Sequence, residues 1–184
     1  MLDDYYSHHP TIRLVRPVIL TGTFHSDTRK VAHFLAGQTG LTLLDVDDSV
    51  AHQLGMSLVG LRHRDGPFAY LTHERAAIRR LVSQKPPGII RAGRDALACK
   101  TTLEHALESA DILFIRRGLD YEQSKYPSRA GLMHWLTQVR VHRHRPEVED
   151  RAAHVIEAGS QHALRIAKMI VSLFGGSSAA EHPL

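Results

Sequence analysis

The sequence predicts a three-layer α/β/α domain around a central five-stranded parallel sheet. Two observations carry this. Short apolar runs bounded by Gly, Pro or Asp alternate with longer segments of helical periodicity. The chain's 184 residues, 43% apolar and 23% charged, also suit one domain with one core. Strands separated by helices of this length imply right-handed crossovers and a parallel sheet covered on both faces.

The elements follow in order. Residues 1–15 are an N-terminal extension, 16–174 the domain, and 175–184 a small, polar tail expected to be disordered. Arg16 to Thr21 reads as a buried strand ending at Gly22. Thr28 to Ala36 puts Val31, Phe34 and Leu35 at helical spacing. Leu41 to Leu44 is the second strand. Asp48 to Leu54 is a short helix stopped by Gly55, and Ser57 to His63 a further turn or two. Pro67 to Gln84 is a long amphipathic helix, broken by Pro86-Pro87. Gly88 to Arg91 is the third strand. Thr101 to Ala110 is a helix with Thr101 or Thr102 as its N-cap. Asp111 to Ile115 is the fourth strand, Arg129 to Val141 a helix, and Pro146 opens a short one. His154 to Glu157 is the fifth strand, and Ser160 to Phe174 a closing helix.

Composition excludes several function classes. No apolar run reaches the roughly 20 residues of a membrane span. The first ten residues lack the basic start and apolar stretch of a signal peptide, so the expected location is the cytoplasm. Cys99 is the single cysteine, which rules out an internal disulfide and a cysteine-based zinc site. The formal charge of +4 and the 14 histidines fit a solvated basic surface or a small anionic ligand. Basic residues are not interleaved with aromatics as a nucleic-acid groove requires.

Ligands of such sheets bind beyond the carboxyl ends of the strands. That rule singles out Gly22 to Thr28, Asp45 to Asp48, Ala92 to Asp95 and Arg116 to Leu119. The first segment has the position of a phosphate-cradling loop. Such loops need glycines so that backbone N–H groups converge, a lysine for the β and γ phosphates, and a Ser or Thr for magnesium. Gly22 stands where the first glycine belongs, and Ser26 and Thr28 are candidate phosphate contacts. Asp27, however, replaces the second glycine, Thr28 the lysine and Arg29 the hydroxyl residue. The β-carbon at Asp27 obstructs the glycine conformation, and its carboxylate repels phosphate. Lys30 lies roughly 200° around the helix from the lysine position, on the far face. The segment also reads as a plain strand-to-helix turn.

From here the order of elements resembles the shikimate kinase family of P-loop kinases, over roughly residues 16 to 174. Leu43-Leu44-Asp45-Val46-Asp47, followed by Gly55-Met56-Ser57-Leu58, is similar to that family's Asp-x-Asp and Gly-x-Ser signatures. Asp65-Gly66 resembles its acidic-glycine turn. The resemblance implies that Asp45 helps hold magnesium and that Asp47 bonds substrate hydroxyls. It also implies a substrate-carboxylate arginine at or beside Leu71, where none stands. The triple glycine aligns with Gly93-Arg94-Asp95, and the late arginine with His144, flanked by Arg143 and Arg145. Gly93, Arg94 and Arg143 are therefore substrate-binding candidates, Arg94 by supplying charge where the family uses backbone. The bland alternatives are an N-cap at Asp47 or Asp48 and a surface pair between Arg94 and Asp95.

These features lead to a shikimate kinase-like protein with a degenerate ATP loop and impaired or no catalysis. It would bind a small hydroxylated or aromatic acid, or a protein partner, in the retained cleft. No cofactor is expected. The alternative is an active kinase using ATP and magnesium, with Asp45 and Asp47 catalytic. A structural or interaction module, possibly a homo-oligomer, is the third class. His142 to Arg145 reads as a metal or anion site or, more simply, as a cationic helix end, and Cys99 as a thiol made reactive near Arg94 and Lys100 or, more commonly, a small buried one.

Overall fold

A computed structural model of the chain describes residues 12–23, 25–126, 128, 133 and 146–176. Arg143, all but Met133 of the helix expected over 129–141, and most of both termini lie outside the described residues, as does the side chain of Arg94.

Five parallel strands form one sheet in the order β2-β3-β1-β4-β5. They are β1 (Val18–Gly22), β2 (Leu43–Asp45), β3 (Ile89–Arg91), β4 (Asp111–Arg116) and β5 (His154–Glu157). β1 is buried throughout because it runs between β3 and β4 with helices on both faces. Its side chains alternate between two cores. Ile19 joins Ile90, Ile112 and Phe114 on one face. Val18 and Leu20 join Ile89, Leu113 and Ile115 on the other.

The helices split accordingly. α1 (Thr28–Thr39) and the closing helix, α8 (Ala163–Gly176), cover the second face with Val31, Leu35, Ile166 and Ile170. The first face is covered by α2 (Val46–Leu54), α3 (Leu58–Leu81) and α5 (Lys100–Ser109). They contribute Val46, Val50, Leu61, Ile78 and Leu103. Three short helices complete the described chain: α4 (Arg94–Leu97), α6 (Leu119–Ser124) and α7 (Pro146–Asp150). Among the described residues, no helix is long and apolar enough to cross a membrane.

Several boundaries differ from expectation for local reasons. The two segments read over Ser57–His63 and Pro67–Gln84 join as α3, with a kink at Gly66, whose φ of 80° takes it out of the helix. Ser57 caps the joined helix, accepting from the Gly60 N–H. Asp45, not Asp47 or Asp48, caps α2. Its position at the end of β2 lets one carboxylate oxygen reach the N–H groups of both. Cys99, rather than Thr101 or Thr102, is the N-cap of α5. α4 begins where the sequence suggested loop, because Gly93 in extended conformation starts a helical turn directly after β3.

Candidate functional site

A cleft of about 620 Å³ opens at the carboxyl ends of β1 and β3. Gly22, Ser26 and Thr28 line one wall, Gly93 and Asp95 the other, and Arg29, Lys30 and Arg91 also line it. The sequence-predicted loop residues therefore come together. Lys30 also reaches the cleft instead of facing away from it, and its ammonium stands 3.7 Å from the Asp27 carboxylate.

The β1–α1 loop closes tightly on itself. A β-carbon on Gly22 would meet the Ile115 carbonyl at 2.3 Å and Ser26 Oγ at 2.8 Å, so only glycine fits. Ser26 is buried beneath it, and its N–H is spent on the Thr23 carbonyl. Asp27 does not forbid the left-handed turn, as the sequence reading supposed. It adopts it, with φ 55°, as does His25 with φ 58°. Asp and His are among the side chains that tolerate this region. The Asp27 carboxylate is then held by Lys30 and by buried Arg117, whose Nη2 is 3.5 Å away. Arg117 also donates to the Gly159 carbonyl and lies over the Tyr121 ring. His25 meets the Tyr126 hydroxyl at 2.8 Å, tying the loop to the segment after α6. Burial lowers the His25 pKa and favours its neutral form.

Asp45 and Asp47 are brought together by Arg91, at the end of β3. Its Nη2 donates to Asp47 Oδ2 at 2.7 Å, and its Nε lies 3.4 Å from Asp45 Oδ2. Arg29 reaches across from α1, its Nε 3.2 Å from Asp45 and its Nη2 on Asp48. Burial pushes the Asp45 carboxyl up, and Arg91 and Arg29 pull it down. The other oxygen of Asp47 takes the Tyr70 hydroxyl at 2.6 Å. Tyr70 also lies 2.9 Å from Glu74, one turn further along α3. Glu74 is buried, and burial pushes its carboxyl up to about 7. Its carboxyl sits so close under Gly93 that a β-carbon there would be 2.7 Å from Oε1. Asp45, the residue the sequence resemblance would assign to magnesium, has its Oδ1 capping α2 and its Oδ2 facing two guanidinium groups.

Sequence reading missed Arg91, Tyr70 and Glu74, and reached Arg117 only as part of the segment Arg116 to Leu119. Arg91 had a signal, a cation closing an otherwise apolar strand. Tyr70 and Glu74 had a weaker one, four residues apart on one helix. By contrast Asp65, in the acidic-glycine turn, is exposed and paired with its neighbour Arg64.

The five-stranded parallel sheet with its flanking helices is the P-loop type of α/β fold. More particularly, the fold is shikimate kinase-like. It is similar to shikimate kinase from Acinetobacter baumannii in complex with shikimate, at 15% identity and TM-score 0.76, covering 91% of this chain and 97% of that one. The Aquifex aeolicus shikimate kinase aligns at 16% identity and TM-score 0.75, over 90% and 99%. That of Bacteroides thetaiotaomicron aligns at 13% and 0.70, over 87% and 98%. No protein-family model matches the chain, and no curated protein matches it.

Proposed function

We propose that this chain is a shikimate kinase-like protein that has lost efficient phosphoryl transfer and binds a small hydroxylated or aromatic acid in the cleft. One observation carries the reading: Asp45 and Asp47 are engaged by the chain's own groups. Asp45 meets the α2 N–H groups, Arg29 and Arg91, and Asp47 meets Tyr70 and Arg91. A magnesium ion or a substrate hydroxyl would have to displace these partners. In the loop, Asp27 brings a carboxylate to the place of the expected second glycine, and the Ser26 N–H is turned inward. Electrostatic stabilisation by fixed cations dominates phosphoryl transfer, and the loop lysine that supplies it is absent. On this reading neither ATP nor magnesium is a resident cofactor.

A second reading has its own support. Arg29 and Lys30 both line the cleft, so two cations are at hand to replace the lysine. That reading is the active kinase, with ATP and magnesium bound and Asp47 orienting the substrate hydroxyl. A thermal-shift panel of ATP–magnesium, shikimate, quinate and aromatic acids separates them. A ligand at a hundred times its Kd adds about 2.7 kcal/mol to stability. The first reading expects an acid to stabilise the protein without nucleotide and ATP–magnesium to do nothing. Stabilisation by ATP–magnesium that Asp45→Ala abolishes would establish the kinase instead. No shift with any ligand, together with self-association in sedimentation, would favour an interaction module.

A further inference from the structure

Arg91 is an unusually placed cation. Its guanidinium offers five N–H donors, yet among the described residues it makes one hydrogen bond, from Nη2 to Asp47. Nε faces Asp45 without hydrogen-bond geometry, and Nη1 has no acceptor; both atoms are buried. The same side chain lines the cleft. Buried donors without acceptors are disfavoured, and a guanidinium is well matched to a carboxylate. The charge already present limits what can bind. Asp45, Asp47 and Asp48 surround Arg29 and Arg91, three carboxylates against two guanidinium groups. That balance disfavours a dianion such as a phosphate ester more than a monoanion.

Glu74 adds a proton to the account. Tyr70 has one hydroxyl proton, and two carboxyl groups lie within hydrogen-bond distance of it. Given to Asp47, the shorter contact, that proton is not available to Glu74. The 2.9 Å contact between Tyr70 and Glu74 is then made by a proton on Glu74 itself. Burial raises the Glu74 carboxyl, and the Asp47 and Asp95 charges add to it; this outweighs the Tyr70 contact and Arg91, which pull the other way. The groups facing Glu74 are Tyr70 on its own helix, Asp47 from α2, Arg91 from β3 and Asp95 from α4. α5 also packs on α3 and carries the titratable His105.

We propose that Arg91 receives the carboxylate of a singly charged hydroxylated acid, and that Glu74 couples this binding to uptake of a proton. This deepens the acid-binding reading given above and rests on it. With Glu74 protonated, the pocket behind Arg91 carries one negative charge fewer, and the anion is held more tightly. With Glu74 ionised, the incoming carboxylate must either be repelled or bring one proton from solvent onto Glu74. Affinity therefore falls as pH rises through the range where Glu74 titrates.

Calorimetric titration of the full chain tests this, with shikimate, its uncharged methyl ester and inorganic phosphate as probes at pH 6 and pH 8.5. Shikimate is expected to bind, with the ester at both pH values, and phosphate at pH 8.5 where it is a dianion, at least about tenfold weaker, the size of one lost charge-assisted contact. The wild-type Kd for shikimate should rise about tenfold between the two pH values. In Glu74→Gln that rise should vanish, and Arg91→Lys should weaken binding at both. If Arg91→Lys does not fold, the ester comparison on the wild type decides the role of the carboxylate. Equal affinity for acid and ester, phosphate binding as tight as shikimate at pH 8.5, or a pH-independent wild-type Kd overturns the inference while acid binding stands. Absence of binding by shikimate, quinate and the aromatic acids at either pH removes the acid-binding reading itself, and the inference with it.

Discussion

Replacing Glu74 by glutamine should make the protein more stable above neutral pH, and by an amount the structure sets. The carboxyl is held up to about 7 in the fold against an ordinary value of 4.5, chiefly by burial. Between those values the folded chain binds a proton that the unfolded chain has released. Stability is therefore full below about pH 4.5 and falls as pH rises through 7. The difference, about 2.5 pH units at about 1.4 kcal/mol each, gives a loss of about 3 kcal/mol once pH is well above 7. For a chain of this size that corresponds to roughly 6–12 °C in Tm. Glutamine has a similar shape, can still donate to Tyr70 and does not ionise. The assay is urea or thermal unfolding of both proteins from pH 5 to pH 8.5. The 14 histidines titrate over the same range in both proteins, so the difference between the curves isolates Glu74. Curves that run parallel, with no widening gap as pH rises, would refute the assignment of a buried neutral carboxyl.

Other outcomes follow from single contacts. Gly22→Ala should cost about 1–3 kcal/mol in chemical unfolding, because its β-carbon meets the Ile115 carbonyl, which is backbone and cannot swing aside. Arg117→Met should speed amide exchange at Asp27 and Thr28 by an order of magnitude or more while leaving β1 protected, since Arg117 ties Asp27 to the Gly159 carbonyl. Cys99 is partly exposed, and hydrogen bonds from Thr101 and the Thr102 backbone draw its thiol down to about 7. Alkylation by iodoacetamide should therefore reach half its limiting rate near pH 7 and shift to higher pH in Thr101→Ala; a midpoint near 9 in the wild type would contradict this.

Much of the fold was legible because its signals are local. The apolar run at Val18–Thr21 and the stripe at Ile166 and Ile170 each need only their own neighbours to be read. Gly40 and Gly55 end α1 and α2 in left-handed conformation, as glycines after a periodic run are expected to. Helix starts were less legible. A cap depends on which carboxylate the strand before it leaves in reach, and at α2 that is Asp45. The site was half legible. Gly22, Ser26, Thr28 and Gly93 meet at one cleft, as the rule for strand ends requires. The partners that decide its chemistry come from far along the chain. Arg91 is 44 residues from Asp47, and Arg117 lies 94 from Thr23, whose hydroxyl accepts its N–H. No periodicity reports such pairings. The expected repulsion between Asp27 and an anion also left out Arg117, which answers part of that charge from just past the end of β4.

The two rims of the cleft are fastened by different forces, and dissolved ions distinguish them. On the β4–β5 side, Arg117 is almost wholly shielded from water while it grips a backbone oxygen. On the β2 side, Arg29 and Asp48 hold each other with about half or more of each side chain in solvent. Salt weakens the second attachment and hardly touches the first. Raising the ionic strength should therefore loosen the Arg29–Asp48 pair while the Arg117 attachment holds, so the two edges respond unequally to salt.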